Sequence, residues 1–406
     1  MKHIEMQTKS QAASWKAPSG ARRIPVEIVA LICVWLGAVA AIAAPDHSHH
    51  SANSDRGFAY FHEEVAEVPW SIHVVKIQRT HTNLEFHTTL GQGHTMGMGV
   101  VSEQVKSFPL ELGRPVAAVN GDFYRLSRDC PGDPEGLQIE GGELLSGPSP
   151  TRVCFWVDGT GQPHRGTVLS QFKVTWPDGS TTPLGLNEER AADQAVLYTS
   201  AKGQSTRASG GIEFVLQREA EDIYAPLRIG ETFKARVREI RTAGDTTLSR
   251  DRLVLSLGPR LSTQLSKLLP GAILQFSMAS SPDLSGVQTA IGGGPTLVSG
   301  GKAAQWNGAQ MRHPRTAIGW NKDFIFLVEV DGRQGKLSVG MTFPELAAYL
   351  VKLGCEEAMN LDGGGSATMW VYGNVMNSPS EGHERPAANA LVVIDKNKRR
   401  ILDPRD

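Results

Sequence analysis

Short apolar, strand-like runs alternate with turn residues from about residue 58 to the end of the chain. The runs include SIHVVKI, PVAAVN, RVCFWV, FKVTW and DRLVLSL. Such runs predict β-strands, and the Gly, Pro and Asp residues between them predict turns. PDGS and TAGD are such turns. The section from about 160 to 285 is therefore predicted to be β-rich, as a lobe or insertion within one domain.

One helix is predicted between two strands near the C-terminus. FIFLVEVD (324–331) and EEAMNLD (356–362) have strand character, and TFPELAAYLVKLG (342–354) has the period of a helix. Thr342 and Glu345 have the spacing of a capping box, and Gly354 follows the last apolar turn. The predicted apolar face consists of Phe343, Leu346, Ala347, Leu350 and Val351.

The fold predicted from these elements is α+β. It has a mixed β-sheet with flanking helices, and it contains a C-terminal βαβ unit and the β-rich middle section. Parallel strands joined by a helix end at the same edge of a sheet, where open sheets bind ligands. Asp331 and Asp362 stand at the two strand ends. Both carboxylates are therefore expected to approach one crevice.

The N-terminal segment predicts export. An apolar run, Ile28 to Ala44, follows Arg22 and Arg23, and Ala41-Ile42-Ala43 fits a small-x-small cleavage site. Residues 1–44 are assigned as a signal peptide or, because the run is almost long enough to span a bilayer, as a membrane anchor. Residues 45–57 are predicted to be a flexible linker. The rest of the chain would then be periplasmic or extracellular, with inner-membrane anchoring left open.

Composition narrows the class of protein. Hydrophobic residues at 40% and charged residues at 20% are typical of a soluble globular chain. A net charge of -1 offers no basic stripe, so no nucleic-acid partner is expected. Cys130 and Cys154 could pair in an oxidising compartment or remain thiols, and the spacing does not decide between these. Cys355 is expected to be a small buried hydrophobe.

Four glycine-containing stretches combine strand character with a polar or charged residue at the strand end. They are AVNGDFY (118–124), AIGGGPTLVSGG (290–301), HPRTAIGW (313–320) and the pair DGR and LDGGGS. Glycine lets main-chain N–H groups approach a ligand, and successive N–H groups can bind an anion. Any one stretch could be an ordinary turn, but four in one chain indicate a site.

Other motifs fit less well. GGGS lacks the G-x-S-x-G spacing of a serine nucleophile, and no Gly-Lys-Ser/Thr follows the glycines as in a P-loop. Cys and His are not clustered at the spacing of a zinc site. No metal ligands and no cofactor are therefore assigned. A structural Ca or Mg ion at the strand ends is an alternative role for Asp331 and Asp362.

In chain order, six stretches resemble the phosphodiester glycosidase family. They are NGDFY, AIGGGPTLVSGG, HPRTAIGW, VDGR, the run GMTFPELAAYLVKLGCEEAMNLDGGGSATM, and ERPAANALVVI. The family includes N-acetylglucosamine-1-phosphodiester α-N-acetylglucosaminidase, and the resemblance covers roughly 110–395, thinly in the middle. It implies that residues 58–406 form a phosphodiester glycosidase domain. The implied activity is that of an exported hydrolase of sugar-1-phosphodiester linkages in a cell-envelope or extracellular glycan, for example an exopolysaccharide.

Such a reaction needs a guanidinium and N–H groups for the phosphate and a carboxylate for the oxocarbenium-like centre. The resemblance makes Asp362 the first catalytic candidate and Asp331 the second, with Glu329 as a reserve acid. Arg315 is the first choice for the phosphate, with Arg333 behind it. The other substrate-binding candidates are Asn120, Asp122, Asn360, Gly363, Gly364 and Ser366. Asp122 replaces a glycine of many relatives and is expected to concern substrate choice.

Two rival functions remain open at this point. One is a non-catalytic saccharide-binding or envelope polysaccharide-assembly protein with the same fold. The other is a cation-dependent phosphodiesterase that breaks the P–O bond in place of the C–O bond. The purely structural alternative for Asp331 and Asp362 is turn capping. For Arg315 and Arg333 it is a salt bridge.

Overall fold

The computed structural model describes residues 57–126, 131–219, 226–262 and 268–397. The strands in these ranges are, in chain order, β1 (Phe58–Val65), β2 (Trp70–Gln78), β3 (Leu84–Thr88), β4 (Arg114–Asn120), β5 (Gln138–Glu140), β6 (Glu143–Ser146), β7 (Val153–Val157), β8 (Pro163–Gly166), β9 (Leu169–Thr175), β10 (Thr181–Pro183), β11 (Gly185–Leu186), β12 (Ala195–Tyr198), β13 (Ile212–Arg218), β14 (Thr232–Arg241), β15 (Leu253–Leu257), β16 (Ile273–Ser281), β17 (Thr289–Gly293), β18 (Thr296–Ser299), β19 (Lys302–Ala303), β20 (Arg315–Trp320), β21 (Phe324–Val330), β22 (Glu357–Asn360), β23 (Met369–Val371), β24 (Asn374–Val375) and β25 (Ala390–Asp395). The α-helices in these ranges are α1 (Val101–Lys106), α2 (Pro259–Ser262) and α3 (Phe343–Lys352).

The strands form four sheets. Sheet I has the order β1-β2-β21-β20-β22-β18-β19, and sheet II has the order β10-β9-β16-β14-β13-β15-β12-β11. Sheet III is β6-β5-β17-β7-β8, and sheet IV is β24-β23-β4-β25-β3. Almost every pair is antiparallel; β11 with β12 is the parallel pair among the described ladders.

The predicted α+β class is wrong, because the described chain is mostly β with several sheets. The three helices have six, four and ten residues, and they do not flank a central sheet on both sides. The error arose from treating one strand–helix–strand unit as typical of the whole chain. The remaining strand-like runs pair antiparallel, and such pairs need no crossover helix.

The middle section forms sheet II, which is nearly closed into a barrel. Its strand order begins with β10 and ends with β11, and Leu184 alone separates these strands along the chain. The two edges of the sheet are therefore brought together. A large apolar cluster fills this sheet and includes the fully buried Phe276 and Leu255. A closed sheet exposes few unpaired strand edges.

The strand–helix–strand unit exists in a modified form. Strand β20 lies between β21 and β22 and is antiparallel to both, so β21 and β22 are parallel but not adjacent. Thr342 caps α3 in a capping box with Glu345, as predicted. The buried face of α3 differs in one respect: Tyr349 is buried, whereas Val351 is exposed.

Sheet I packs on both faces. Leu346 and Leu350 of α3 lie in one apolar cluster with Val328 of β21. Another cluster joins sheet I to sheets III and IV and includes Ile318 and Val119. The C-terminal ends of β21 and β22 therefore lie between packed layers. Hydrogen bonds fix the segments that follow these two strands.

Several sequence predictions fall outside the described residues. These are the signal or anchor at 1–44, the linker apart from Gly57, and Cys130. Cys154 is a buried free thiol, and burial raises its pKa to about 12. Cys355 is also a buried free thiol, as predicted. Within the described ranges, no helix is long and apolar enough to cross a membrane.

Candidate active site

The glycine-containing stretches that the sequence analysis selected converge at one place. Main-chain and side-chain bonds tie NGDFY to LDGGGS: the Asn120 amide donates to the Asp362 carbonyl at 2.7 Å, and the Asp362 N–H donates to the Gly121 carbonyl at 2.9 Å. These segments follow β4 of sheet IV and β22 of sheet I. The candidate site therefore lies where two sheets meet.

HPRTAIGW and AIGGGPTLVSGG join the same assembly. The Thr316 hydroxyl donates to the Asn120 amide oxygen at 2.7 Å, and the Leu361 N–H donates to the Thr316 carbonyl at 2.8 Å. On the other side of β22, the Gly294 N–H donates to the Asn360 carbonyl at 2.7 Å. The predicted convergence of these stretches is thus visible in their hydrogen bonds.

Asp362 lines a cavity of about 430 Å³. The cavity wall is part apolar and part charged, and its residues are Met98, Phe123, Tyr124, Leu126, Glu135, Asp362, Arg385 and Pro386. Burial raises the pKa of Asp362, while hydrogen bonds from the Ser366 hydroxyl and the Gly363 N–H, together with nearby Arg385 and Arg152, oppose that rise. A carboxylate and a guanidinium thus border the same cavity, a pairing suited to a sugar phosphate.

Ser366 connects Asp362 to Arg385. The Arg385 guanidinium donates to the Ser366 hydroxyl oxygen at 2.8 Å, and the Ser366 hydroxyl lies close enough to the Asp362 carboxyl group to lower its pKa. Ser366 is fully buried, and the Tyr124 hydroxyl lies 3.4 Å from its oxygen. This arrangement places the hydroxyl between the carboxylate and the guanidinium.

Steric and conformational constraints explain why glycine is found in the run Gly363–Gly365. Gly364 has φ +63°, and a Cβ on Gly365 would lie 2.1 Å from the Glu381 carboxylate and 2.9 Å from the Arg385 guanidinium. The Gly363 N–H donates to the Asp362 carboxylate at 2.8 Å, and the Gly364 N–H donates to the Pro314 carbonyl at 2.9 Å. Those two N–H groups are therefore engaged within the protein.

Asp122 lies beneath the cavity and does not line it. Its carboxylate is fully buried and accepts the N–H groups of Phe123 at 2.8 Å and Gly136 at 2.7 Å. Burial raises its pKa to about 7, and the charge of Asp362 contributes to the rise. Two neighbouring buried carboxyl groups therefore influence each other's ionisation.

The two predicted phosphate ligands, Arg315 and Arg333, do not line the cavity that borders the glycine loop (Gly363–Gly365). Arg315 is buried, donates to the carbonyls of Met341 at 2.9 Å and Met311 at 3.1 Å, and stacks on Phe343 with 4.0 Å to the ring centre. Burial and the neighbouring charge of Arg333 lower the pKa of Arg315 to about 10.

Arg333 is the exposed member of this pair. Its guanidinium lies 3.2 Å from His313 and would be 3.0 Å from a Cβ on Gly364. Its backbone has φ +61°, which non-glycine residues seldom adopt. Within the described ranges, no salt bridge involves Arg315 or Arg333. The two cations therefore form a positive patch beside Gly364.

The side chains of Asn120 and Asn360 form hydrogen bonds inside the protein. Asn120 is fully buried, and its amide oxygen also accepts the Thr368 N–H at 3.1 Å. The Asn360 amide donates to the Gly294 carbonyl at 3.1 Å. Neither residue lines the cavity beside Asp362. Their placement supports the loops that carry Asp362.

Asp331 and Glu329 are not at the cavity. Both side chains are buried beside His73, in a cluster behind the glycine loop. The strand ends after β21 and β22 lie at the same edge of sheet I, but the two aspartates have different hydrogen-bond partners. Of the three catalytic candidates, Asp362 is the one that borders the cavity.

Sequence reasoning missed four residues near Asp362. Arg385 is in ERPAANALVVI, a stretch that carries the family resemblance, so a signal for it was available. Tyr124 is in NGDFY for the same reason. Glu135 lines the cavity and forms an ion pair with Arg152, but both come from a segment with no recognisable motif.

Part of the chain is similar to a known protein family. Residues 231–394 match the family model of the phosphodiester glycosidases. This matched range is less than half of the chain. An uncharacterized SPbeta prophage-derived protein of Bacillus subtilis (strain 168), YomE, is 36% identical over 89 residues, which are 22% of this chain and 14% of that protein.

Two solved structures are similar in fold. A hypothetical protein from Synechocystis has a TM-score of 0.70 at 20% identity, over 87% of this chain and 64% of that chain. A protein from Burkholderia pseudomallei K96243, named "Putative exported protein", has a TM-score of 0.61 at 22% identity, over 80% of this chain and 74% of that chain. At these identities the likeness concerns the fold alone, and this chain spans only part of the relatives that it matches.

Proposed function

We propose that this chain hydrolyses a sugar-1-phosphodiester linkage. The proposal starts from the phosphodiester glycosidase domain that the chain carries over residues 231–394. The observation that carries the proposal is the position of Asp362 and Arg385 on one cavity wall, joined through Ser366. A sugar-1-phosphodiester has a cationic transition state at the anomeric carbon and an anionic leaving group. A carboxylate and a guanidinium serve those two charges.

In the proposed reaction the bond between the anomeric carbon and the phosphate oxygen breaks, its electron pair leaves with the phosphate, and the Asp362 carboxylate stabilises the positive charge that develops at the carbon. Water then adds to that carbon, and the proton that it loses passes to the released phosphate. Ser366 donates to this carboxylate and holds it in place, while Arg385 pairs with the departing phosphate oxygens. Phosphate is a good leaving group, so protonation of the leaving oxygen contributes less than in ordinary glycoside hydrolysis. Phe123, Tyr124 and Met98 provide apolar surface on which a sugar ring can pack.

The environment of Asp362 suits this role. A buried carboxyl group close to another carboxyl group resists ionisation, and burial raises the pKa of both Asp122 and Asp362. Hydrogen bonds from Ser366 and Gly363 favour the charged form of Asp362. Protonation of Asp122 removes a neighbouring negative charge and so favours the charged form of Asp362.

The variant Asp362→Asn separates hydrolysis from simple saccharide binding. With the methyl phosphodiester of α-N-acetylglucosamine 1-phosphate as the test compound, we expect turnover to fall by at least about 10³-fold. Binding measured by calorimetry should persist. Asp323→Asn, at an exposed aspartate of the β20–β21 turn, is the matched control. A binding protein without catalysis would give no turnover in the wild-type chain.

Hydrolysis in H₂¹⁸O distinguishes the proposal from a phosphodiesterase. Cleavage of the C–O bond places the label on the anomeric hydroxyl of the sugar, and cleavage of the P–O bond places it in the phosphate. We expect label in the sugar. Label found only in the phosphate would show that the activity at this cavity is that of a phosphodiesterase and not of a glycosidase.

We further propose that the enzyme acts outside the cytoplasm on a cell-envelope or extracellular glycan. The support is the N-terminal apolar run behind two arginines. The substrate would be a phosphate-bridged polymer such as an exopolysaccharide, with periplasmic, secreted and inner-membrane-anchored forms all compatible with that run. Fractionation of cells that produce the full chain tests this, because recovery of the intact chain in the cytoplasm would contradict it.

A further inference from the structure

A second polar cluster lies outside the cavity wall and has no part in the proposed reaction. His73 on β2 and Glu329 on β21 face Asp331, which directly follows β21. The three side chains are buried, and one possible ligand atom from each lies within 4.8 Å of the others. They provide one imidazole nitrogen and two carboxylate oxygens.

The bonds around this cluster orient two of its three members. The Ser71 hydroxyl donates to one Asp331 oxygen at 2.7 Å, and the Ser378 N–H donates to the other at 2.8 Å. The His73 Nε2 atom lies 3.2 Å from Asp331, while its Nδ1 atom lies 2.9 Å from the Tyr60 hydroxyl. An imidazole held by a polar partner at one nitrogen presents the other nitrogen in a fixed direction, as metal-binding histidines do.

Glu329 is the member that the protein leaves unsatisfied. It is 0% exposed, and neither carboxylate oxygen has a hydrogen-bond partner of normal geometry among the described residues; the side-chain amide of Asn377 approaches the carboxyl group without meeting that geometry. A buried carboxylate without a partner is unfavourable, and a bound cation would supply the interaction that the protein does not.

We propose that His73, Glu329 and Asp331 bind one divalent transition-metal ion, of which Zn²⁺ is the best-fitting example. Imidazole and carboxylate ligands suit Zn²⁺, and two carboxylates neutralise its charge. Ca²⁺ requires six to eight oxygen ligands, which a fully buried set of three side chains does not provide. Bonds of ~2.0–2.2 Å to Zn²⁺ require only a small inward movement of the three groups. This departs from the sequence-based expectation of no metal ligands.

The ion would have a structural role. Asp331 holds the Ser378 N–H, and the adjacent Asn377 accepts the Met369 N–H at 2.8 Å and donates to the Ala367 carbonyl at 3.1 Å. Ala367 directly follows the glycine loop and Ser366. A metal bound at Asp331 would therefore fix β2, β21 and the segment that holds the C-terminal side of the loop.

Metal binding is tested on the full chain after dialysis against EDTA and then buffer. His47, His49 and His50 are changed to glutamine in every protein of the series, because a histidine-rich linker can bind Zn²⁺ by itself. We expect one equivalent of Zn²⁺ per chain by elemental mass spectrometry after gel filtration, with a rise in Tm on Zn²⁺ addition. Glu329→Gln and His73→Asn should each weaken binding more than tenfold.

The matched control is His164→Asn, because His164 also pairs with a carboxylate, Asp158 at 2.7 Å, on the protein surface. It should bind Zn²⁺ as the parent does. If a cluster variant fails to fold, Co²⁺ replaces Zn²⁺ in the parent protein, and its visible absorption reports nitrogen and oxygen ligation. Absence of both stoichiometric Zn²⁺ and a Co²⁺ spectrum would overturn the proposal and identify a cluster in which Glu329 carries a proton. Equal Zn²⁺ affinity in Glu329→Gln would also overturn it.

Discussion

The guanidinium of Arg385 donates to the hydroxyl oxygen of Ser366 at 2.8 Å, and this bond links the stretch ERPAANALVVI to the segment that follows the three glycines. Arg385 lies just before β25 of sheet IV, whereas Ser366 lies in the segment that leaves sheet I. A second bond reaches the Gly363 carbonyl at 3.4 Å. The loop that carries Asp362 is therefore held from both of the sheets that it connects.

Arg385→Lys is expected to reduce kcat/KM for a sugar-1-phosphodiester by about 10²-fold. Lysine retains the positive charge but cannot bond Ser366 and a phosphate oxygen through one planar fork. Steady-state kinetics on the methyl phosphodiester measures the effect. Arg236→Lys is the control, since Arg236 forms an ion pair with Glu219 on sheet II. Activity equal to that of the control would remove Arg385 from the phosphate site.

Ser366→Ala distinguishes a supporting hydroxyl from a nucleophile. The hydroxyl donates to the Asp362 carboxylate and favours its charged form, so its loss should raise the pKa of Asp362. We expect the acid limb of the kcat/KM profile to move to higher pH, with a maximal rate reduced by about 10- to 100-fold. Complete loss of turnover at every pH, with burst kinetics in the parent, would instead identify Ser366 as a nucleophile.

Gly365→Ala should impair activity with little change in stability. The new methyl group would lie 2.1 Å from the Glu381 carboxylate and 2.9 Å from the Arg385 guanidinium, and both are mobile ends of long side chains. They can move away, but Arg385 then leaves its position beside Ser366. Gly159→Ala is the control, because nothing lies within 4 Å of that Cβ. Kinetics and urea unfolding are measured together, and a stability loss without a loss of kcat/KM would contradict this account.

Asp122→Asn should change how stability depends on pH. The pKa of Asp122 is about 7 in the folded chain against an ordinary 3.8, so the folded state binds the proton more tightly than the unfolded state. The free energy of unfolding should therefore rise as the pH falls from about 7 to about 4, and this contribution is lost above pH 7. Urea unfolding across that range compares the two proteins.

The difference between the two curves reports Asp122 together with its effect on the ionisation of Asp362, while Glu329 is present in both proteins. We expect Asp122→Asn to flatten the pH dependence. Identical slopes for the parent and the variant would mean that Asp122 has the same proton affinity in the folded and unfolded states.

Arg333→Gln and Arg315→Gln are expected to differ. Arg333 is exposed and its guanidinium lies beside Gly364, so its loss should raise KM about tenfold at unchanged Tm if the phosphodiester extends to this side of the loop. Arg315 is buried on Phe343, so its loss should lower the free energy of unfolding by ~2–3 kcal/mol. An unchanged KM in Arg333→Gln would confine the phosphate to Arg385.

The local features of the C-terminal region were predictable because short-range rules determine them. The cap at Thr342 follows from residue types at a fixed spacing, and it is present. The convergence of the glycine stretches was also predictable, since each follows or precedes a strand. The cavity was only partly predictable, because Glu135 and Arg152 come from a segment whose sequence has no motif.

The fold class could not be read from the same patterns. Alternation predicts a strand but not its partner. Strand β20 pairs with β21 across a short turn, but it also pairs with β22, which follows α3 in the chain, and it thereby separates β21 from β22. The position of Asp331 has a related cause. Its strand end is correctly placed, but its side chain turns to Ser71 and Ser378, which are far away in the sequence.

The loop after β22 leaves sheet I and enters sheet IV, and this has a consequence for how the chain acquires its activity. Neither sheet alone can hold Asp362, Ser366 and Arg385 together, since Arg385 precedes a strand of sheet IV and Asp362 follows a strand of sheet I. Contacts between segments that are far apart in sequence form late in folding. The regain of turnover after dilution from denaturant would therefore follow the formation of both sheets, and a partly folded chain released from its ribosome or across a membrane would be catalytically silent.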